Sequence, residues 1–303
     1  MNDPRPSSLF KYRSFSETSL EVLCQGEIYY ADPSTFNDPL DCQPVVDADV
    51  SNEQLRQIFA LLATRRIDKE IDLALRKLRL KGDGARARRR SITQTDVDEL
   101  LGEIRYDATN PDIADQQLYI REALSRGIAQ ELRQSFGKGV FSLSERYDSP
   151  LMWSHYGNQH KGLCVEYDVS QVPQEELHRV RYGDSRRIAA SRVLQWLETE
   201  DQASSEAVHR GCLLTKSLDW TYEYEWRMLG RIGSQASTAI LKSITFGMRC
   251  SIGTQYATVA AVSRAFPGTT FWEIAAPEAH FELVRRELDA DELMHSLPVA
   301  SLL

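Results

Sequence analysis

With 303 residues the chain can bury a full core, and 42% hydrophobic with 9% aromatic residues is the composition of a globular protein rather than a disordered one. The formal net charge of -8 excludes a chain that is basic throughout and wraps nucleic acid, and leaves only a local basic patch open. No apolar run approaches the roughly 20 residues that span a bilayer, and the start Met1-Asn2-Asp3-Pro4-Arg5-Pro6 lacks a signal peptide's apolar segment, so a cytoplasmic protein without a membrane partner is expected.

Leu9-Phe10-Lys11-Tyr12-Arg13-Ser14 reads as a first strand whose alternation places Leu9, Lys11 and Arg13 on one face. Ser16 then caps a helix, with Thr18 and Ser19 as other cap candidates, running to about Cys24 and closed by Gly26. Residues 27–31 form a second strand that enters the proline-bracketed turn Asp32-Pro33-Ser34-Thr35-Phe36-Asn37-Asp38-Pro39, suited to presenting side chains to a ligand.

From Ser51 to about Phe136 the pattern is helical. Ser51 and Gln54 make a capping box, Asn110-Pro111 is the expected start of a long helix, and Ile120, Leu124, Ile128, Leu132 and Phe136 form one apolar ridge. Between these helices the basic segment 76–90 is either a solvated helix end and loop or a patch for phosphates or an acidic partner. It has no interleaved aromatics for base stacking.

Strand character returns at 139–145, where Phe141 and Leu143 oppose Ser142 and Ser144. A helical turn over 151–157 and a strand over 162–167 follow, then helices over 188–197 and 203–215. The run Asp219-Trp220-Thr221-Tyr222-Glu223-Tyr224-Glu225-Trp226-Arg227-Met228-Leu229 predicts a strand. Glu223, Glu225 and Arg227 would share one face, and Trp220, Tyr222, Tyr224, Trp226 and Met228 would anchor the other in the core. The tail predicts strand at 244–247, helix at 256–266 and strands at 270–275 and 280–286.

Two glutamates side by side repel, so the pair is kept in water, beside a cation, or where a site needs it. Cys24, Cys42, Cys164, Cys212 and Cys250 are odd in number, scattered and without a CxxC pair, which fits reduced thiols. His155 and His160 stand five apart with no cysteine partner, and no metal site is expected.

Taken in chain order, Arg13, then Ser142 with Ser144, then Glu223 with Glu225 resemble the arginine, serine and glutamate pattern of ADP-ribosyltransferases, in which a Glu-x-Glu strand carries the catalytic acid. The resemblance implies NAD as co-substrate and a macromolecular acceptor, as in a bacterial toxin, effector or defence protein. Breaking the ribose–nicotinamide bond builds positive charge on the ribose, which a fixed carboxylate stabilises. Glu225 would take that part. Arg13 would pair with the diphosphate, Ser142 or Ser144 would bond the ribose or hold Glu225, and Glu223 would orient or deprotonate the acceptor. The pattern departs from the longer serine-threonine-serine motif of that family, because Leu143 separates the two serines.

Further words resemble a bacterial family catalogued as domain of unknown function 2971. They are Leu9-Phe10-Lys11-Tyr12-Arg13, Phe36-Asn37-Asp38-Pro39-Leu40-Asp41, Phe141-Ser142-Leu143-Ser144-Glu145, Met152-Trp153-Ser154-His155-Tyr156 with His160-Lys161-Gly162, and the run from Trp220 through Arg227. That resemblance implies that the Asn-Asp-Pro turn and the Trp-Ser-His-Tyr segment belong to one site or core. Asn37 and Asp38 would bind a ribose or amide, Tyr156 would join the cofactor-binding set, and His155 would act as acid or base. Each residue has a structural alternative: Arg13 bonded to a carboxylate, the serines as polar strand positions, Asn37 and Asp38 locking their turn, His155 packed by Trp153, and Glu223 and Glu225 paired with Arg13 or Arg227.

The expected fold is α+β, a mixed, mainly antiparallel sheet core over 1–50 and 138–303 with a helical insertion over 51–137. The expected function is an NAD-using ADP-ribosyltransferase-like enzyme. Two alternatives are a binding module reaching nucleic acid or an acidic protein through 76–90, and a nucleotide or phosphodiester hydrolase built on His155, Asp38 and Glu225.

Overall fold

The computed structural model describes residues 5–79 and 83–296. Its first half contains β1 (Ser8–Arg13), α1 (Glu17–Cys24), β2 (Glu27–Tyr30), β3 (Val45–Asp47), α2 (Asn52–Lys77), α3 (Asp83–Asp107), α4 (Gln116–Ser135) and β4 (Gly139–Ser144). Then come α5 (Pro150–His155), β5 (Leu163–Asp168), β6 (Leu177–Arg179), β7 (Arg181–Gly183), β8 (Arg187–Ala189), α6 (Ala190–Thr199), α7 (Gln202–Leu213) and β9 (Thr215–Ser217). The remainder is β10 (Glu225–Gly230), β11 (Gly233–Ala236), β12 (Ile240–Phe246), α8 (Ile252–Ala265), β13 (Thr270–Ala275), β14 (Val284–Glu287) and α9 (Ala290–Ser296).

Local chemistry sets several boundaries. Ser16 and Ser51 cap α1 and α2 through reciprocal boxes with Ser19 and Gln54, and Gly26 closes the turn after α1 at φ +67, where a side chain would be strained. The Asn110-Pro111 start fails: Asn110 Oδ1 instead accepts from Asp112 N in a local turn, and α4 begins at Gln116 under an Asp115 cap.

The main correction concerns 218–224. Residues Leu218–Glu223 form a 3-10 turn and not a strand, and Tyr224 takes φ +46 before β10 begins. A single left-handed residue breaks the alternation that placed Tyr222 and Tyr224 with Trp226. Tyr224 is exposed and Trp220 and Tyr222 are half-buried, so only Trp226 and Met228 of the expected anchors enter the core.

The chain divides into two compact units. The first comprises the described parts of Met1–Thr35, Lys138–Val180 and Leu218–Leu303; the second comprises Phe36–Gly137 and Arg181–Ser217. The helical block over 51–137 thus lies in the second unit, together with 36–50 and 181–217.

The first unit is built on an eight-stranded sheet in the order β14-β13-β12-β5-β1-β4-β10-β6. β12 and β13 run parallel and the other neighbours antiparallel. The fold is therefore α+β with a mixed, mainly antiparallel sheet. One face carries Leu9, Phe141, Leu143, Val165, Trp226, Met228, Ile244 and Phe246, which form a core with Leu23 of α1 and Val259 and Val262 of α8. Register fixes the opposite face: Glu225 pairs with Ser144, Ser144 with Phe10, Phe10 with Glu166, and Glu166 with Ser243. On that same face Phe10, Tyr12 and Cys164 pack with Met152 and Trp153 of α5.

In the second unit α2 packs on α4. Leu55, Ile58, Phe59 and Leu62 are buried on α2, and Ile120, Leu124, Ile128 and Leu132 on α4, so the expected ridge faces inward as far as Leu132, while Phe136, at the C-cap of α4, is half-buried. Gly127 is required there, because a Cβ would stand 2.7 Å from the Phe59 ring. Two short parallel pairs, β3 with β8 and β7 with β9, complete the unit. Of the basic segment, Leu80, Lys81 and Gly82 lie outside the described residues. Arg89 is used within the unit, its Nη1 2.8 Å from Asp72 Oδ1.

Candidate active site

The polar face of the sheet gathers an unusual set of buried charges. Glu223 and Glu225 are each 3% exposed and Arg227 is 0% exposed. Alternation along β10 puts Glu225 and Arg227 on the same side, two residues apart, where the guanidinium binds both carboxylate oxygens: Nε donates to Oε1 at 2.8 Å and Nη2 to Oε2 at 3.1 Å. β10 runs between β4 and β6, so this pair sits inside the sheet and not on its edge. Buried carboxylates are tolerated only beside cations and hydrogen-bond donors, and Arg227 is the cation.

Glu223 reaches this site by a different route. It ends the 3-10 turn, and its carbonyl accepts the Ser144 hydroxyl at 2.6 Å. The next residue, Tyr224, is held in its left-handed conformation by Tyr224 N bonding Thr221 O and Glu145 N bonding Tyr224 O, each at 3.2 Å. A left-handed non-glycine residue costs roughly 1–2 kcal/mol, and these bonds offset it. The Glu223 carboxylate then accepts the Tyr156 hydroxyl at 2.7 Å. Ser144 therefore positions Glu223 through its backbone and also accepts from Arg146 N at 3.1 Å.

An aromatic group adjoins these acids. Tyr156 caps the end of α5. The exposed ring of His155 lies 6.3 Å from Tyr156, 6.2 Å from Trp220 and 6.4 Å from Tyr222, the last nearly parallel at 29°. Trp220 and Tyr222 are 5.9 Å apart. Such half-buried rings offer flat surfaces to a planar or cationic group. The sequence pattern missed this role for Trp220 and Tyr222 because Tyr and Trp at alternate positions imitate a core strand.

His160 belongs to the structural layer beneath. It closes the left-handed run Asn158, Gln159, His160, stacks on Trp153 at 6.0 Å, and has a buried Nδ1 without a hydrogen-bond partner among the described residues. Burial, with Arg249 nearby, pushes its pKa below the usual histidine value.

The expected residues thus separate. Glu223, Glu225, Ser144 and Tyr156 come together, with His155 beside Tyr156 and Ser142 opposite Arg227 in register. Arg13 does not join them. Phe10, not Arg13, shares the face of Ser144, so Arg13 projects with Leu9 and Lys11 from the other side, where its Nη1 approaches Ser19 O of α1 at 3.5 Å. The expectation of one cleft shared by Arg13, the serines and Glu225 is corrected by that register.

Asn37 and Asp38 lie in the second unit. Asp38 Oδ1 accepts Leu40 N at 2.8 Å, the bond that locks a turn. Nearby, Asp41 and Lys216 are both buried, with Nζ 3.6 Å from Oδ2, and the Cys42 thiol donates to Asp41 Oδ1 at 3.4 Å. Asp41 belonged to a recognised word; nothing in sequence spacing pointed to Lys216. Among the described residues no group of three or more His, Cys, Asp or Glu is arranged to hold a metal ion, and no helix is long and apolar enough to cross a membrane.

A family model described as "Protein of unknown function (DUF2971)" matches residues 152–228. That range contains His155, Tyr156, Glu223, Glu225 and Arg227, whereas Arg13, Asn37, Asp38, Ser142 and Ser144 fall outside it. No curated protein and no solved structure matches the chain. From the start of α5 to the middle of β10, the chain is similar to the DUF2971 family, the one its sequence words resemble.

Proposed function

We propose that the chain is an enzyme that cleaves the ribosyl bond of NAD and transfers ADP-ribose to a macromolecular acceptor. The observation that carries the proposal is the carboxylate of Glu223, buried, fixed by the Tyr156 hydroxyl at 2.7 Å, and adjoining the cluster of His155, Trp220 and Tyr222. A fixed acid stabilises the oxocarbenium-like state that forms as nicotinamide leaves, and it does so most effectively where water is excluded.

The roles differ from those the motif order implied. Glu225, gripped at both oxygens by Arg227, sets the surroundings, and Glu223, held by the Tyr156 hydroxyl next to the aromatic cluster, is the acid that faces the substrate. His155, exposed at the end of α5, is placed to move a proton to or from the acceptor. Arg13 has no role at the ligand. Attraction of an acidic acceptor falls to exposed basic residues such as Arg88 and Arg90.

The test is incubation of the purified chain with NAD and candidate acceptors, reading free nicotinamide and acceptor mass. Mass gain by ADP-ribose that disappears in Glu223→Gln supports the proposal; an inert wild type with every acceptor tried argues against it.

The grip of Arg227 on Glu225 also suits a non-enzymatic module, in which the pair is purely structural. That alternative requires polyanion binding that weakens steeply with salt and survives Glu225→Gln in a folded protein.

A further inference from the structure

The second unit holds a cleft of about 440 Å³ between α2, the end of α4 and α6, within the size range of small-ligand sites. Its chemistry has three parts. Arg65 and Lys69, four residues apart on α2, present two cations on one helix face. Trp196 of α6 stacks on Phe136 with centroids 5.5 Å apart and planes inclined by 22°, and the Arg65 guanidinium lies 5.3 Å from the Trp196 ring. Ser135 lines the cleft, and its hydroxyl is buried without a hydrogen-bond partner among the described residues.

The neighbouring carboxylates are partly offset. Arg66 binds Glu131 through Nε at 2.8 Å and Glu70 through Nη1 at 3.3 Å; its single charge offsets one of the two acids, and of the pair only Glu70 lines the cleft. Glu200 stands 3.8 Å from Arg65 with its side chain 84% exposed, a contact that solvent screens. The lining therefore sets the cations Arg65, Arg66 and Lys69 against the one carboxylate of Glu70, beside a hydroxyl unpartnered among the described residues and a stacked aromatic and guanidinium surface. The basic segment 76–90 has no aromatics of its own, but the fold supplies them to α2 from 136 and 196.

We infer that this cleft binds a mononucleotide unit, the phosphate held by Lys69, Arg65 and the Ser135 hydroxyl and the base stacked on the Arg65 and Trp196 planes. Phosphate recognition by such groups is charge-assisted, and bases stack on guanidinium planes as well as on aromatic rings. The unit can come from a free nucleotide or from a single strand. The inference is independent of the enzymatic proposal, since every residue it uses lies in the second unit.

The experiment is calorimetric titration of the full chain with adenosine monophosphate, inorganic phosphate, adenosine and a short oligoadenylate. Adenosine monophosphate should bind saturably, with phosphate and adenosine each weaker by about tenfold or more. Lys69→Glu, an exposed substitution that leaves packing intact, should weaken the nucleotide by about tenfold or more, and Ser135→Ala by a few-fold. Glu223→Gln should leave nucleotide affinity within about twofold even where it abolishes NAD turnover, which separates this cleft from the site on the sheet. Oligoadenylate tighter than the mononucleotide identifies a strand as the source; equal affinity identifies a free nucleotide, and either supports the site. Phosphate binding as tightly as the nucleotide, an unchanged affinity in Lys69→Glu, or loss of all binding in Glu223→Gln would overturn it.

Discussion

Arg227 holds Glu225 from two positions along the same strand, with Nε to Oε1 at 2.8 Å and Nη2 to Oε2 at 3.1 Å, both side chains buried. Removing one partner strands a charge in a dry interior, which costs about 3–5 kcal/mol, whereas replacing both with apolar residues of similar volume is often close to neutral. Arg227→Met and Glu225→Leu should each lower stability by that order. The double variant should lose much less than their sum. Urea unfolding of the four proteins measures this coupling, and additive losses would show that the pair is not a unit.

Tyr156 donates to Glu223 from the end of α5. Tyr156→Phe removes only the hydroxyl, so the cost to folding should be about 1–3 kcal/mol. Nicotinamide release should fall by about ten- to a hundredfold, because the acid loses a donor that orients it. Comparing kcat with unfolding free energy separates the two effects. A variant with normal kcat would remove Tyr156 from the site.

Tyr224 is left-handed at φ +46, a conformation that L side chains adopt at roughly 1–2 kcal/mol. Tyr224→Gly relieves that strain at the expense of unfolded-state freedom and should leave stability within about 1 kcal/mol of wild type. Tyr224→Val, β-branched, should destabilise by more than about 1 kcal/mol. Thermal unfolding of the two variants checks the order, and Val stable as Gly would contradict the backbone assignment.

Acid stability should depend on Glu166. Burial alone pushes its pKa up, but hydrogen bonds from Ser243, Lys242, Arg285 and Ser8 outweigh that and lower it from 4.5 to about 2. The folded value lies below the unfolded one, so this stabilisation is fully present above about pH 4.5 and is lost as pH falls from there through about 2. Glu166→Gln should flatten the pH dependence of unfolding free energy in that window. An unchanged slope would mean that another carboxylate controls acid unfolding.

Much of the fold was legible where one local rule decides. Ser16, Ser51 and Gly26 marked helix ends, and the alternation in β4 separated Phe141 and Leu143 from the serines. The 3-10 turn before β10 was hidden because Trp220, Tyr222 and Tyr224 have strand-like propensity, while the left-handed residue that ends the turn is imposed by bonds to Thr221 and Glu145. Arg13 shows a second limit. Its alternation with Phe10 and Tyr12 was readable, but which set faces Ser144 is fixed by the pairing of Phe10 with Ser144, a contact 134 residues away in sequence. Strands of three residues such as β6 to β9 carry too few positions for any period to show.

The most direct measurement is nicotinamide release from NAD by wild type, Glu223→Gln and Arg13→Ala, with folding of each checked by unfolding free energy. Wild type should release nicotinamide, Glu223→Gln should lose activity by about a hundredfold or more, and Arg13→Ala should stay within about threefold, since Arg13 lies on the other face of the sheet. Release that is equal in wild type and Glu223→Gln, or that depends on Arg13 and not on Glu223, would contradict the assignment.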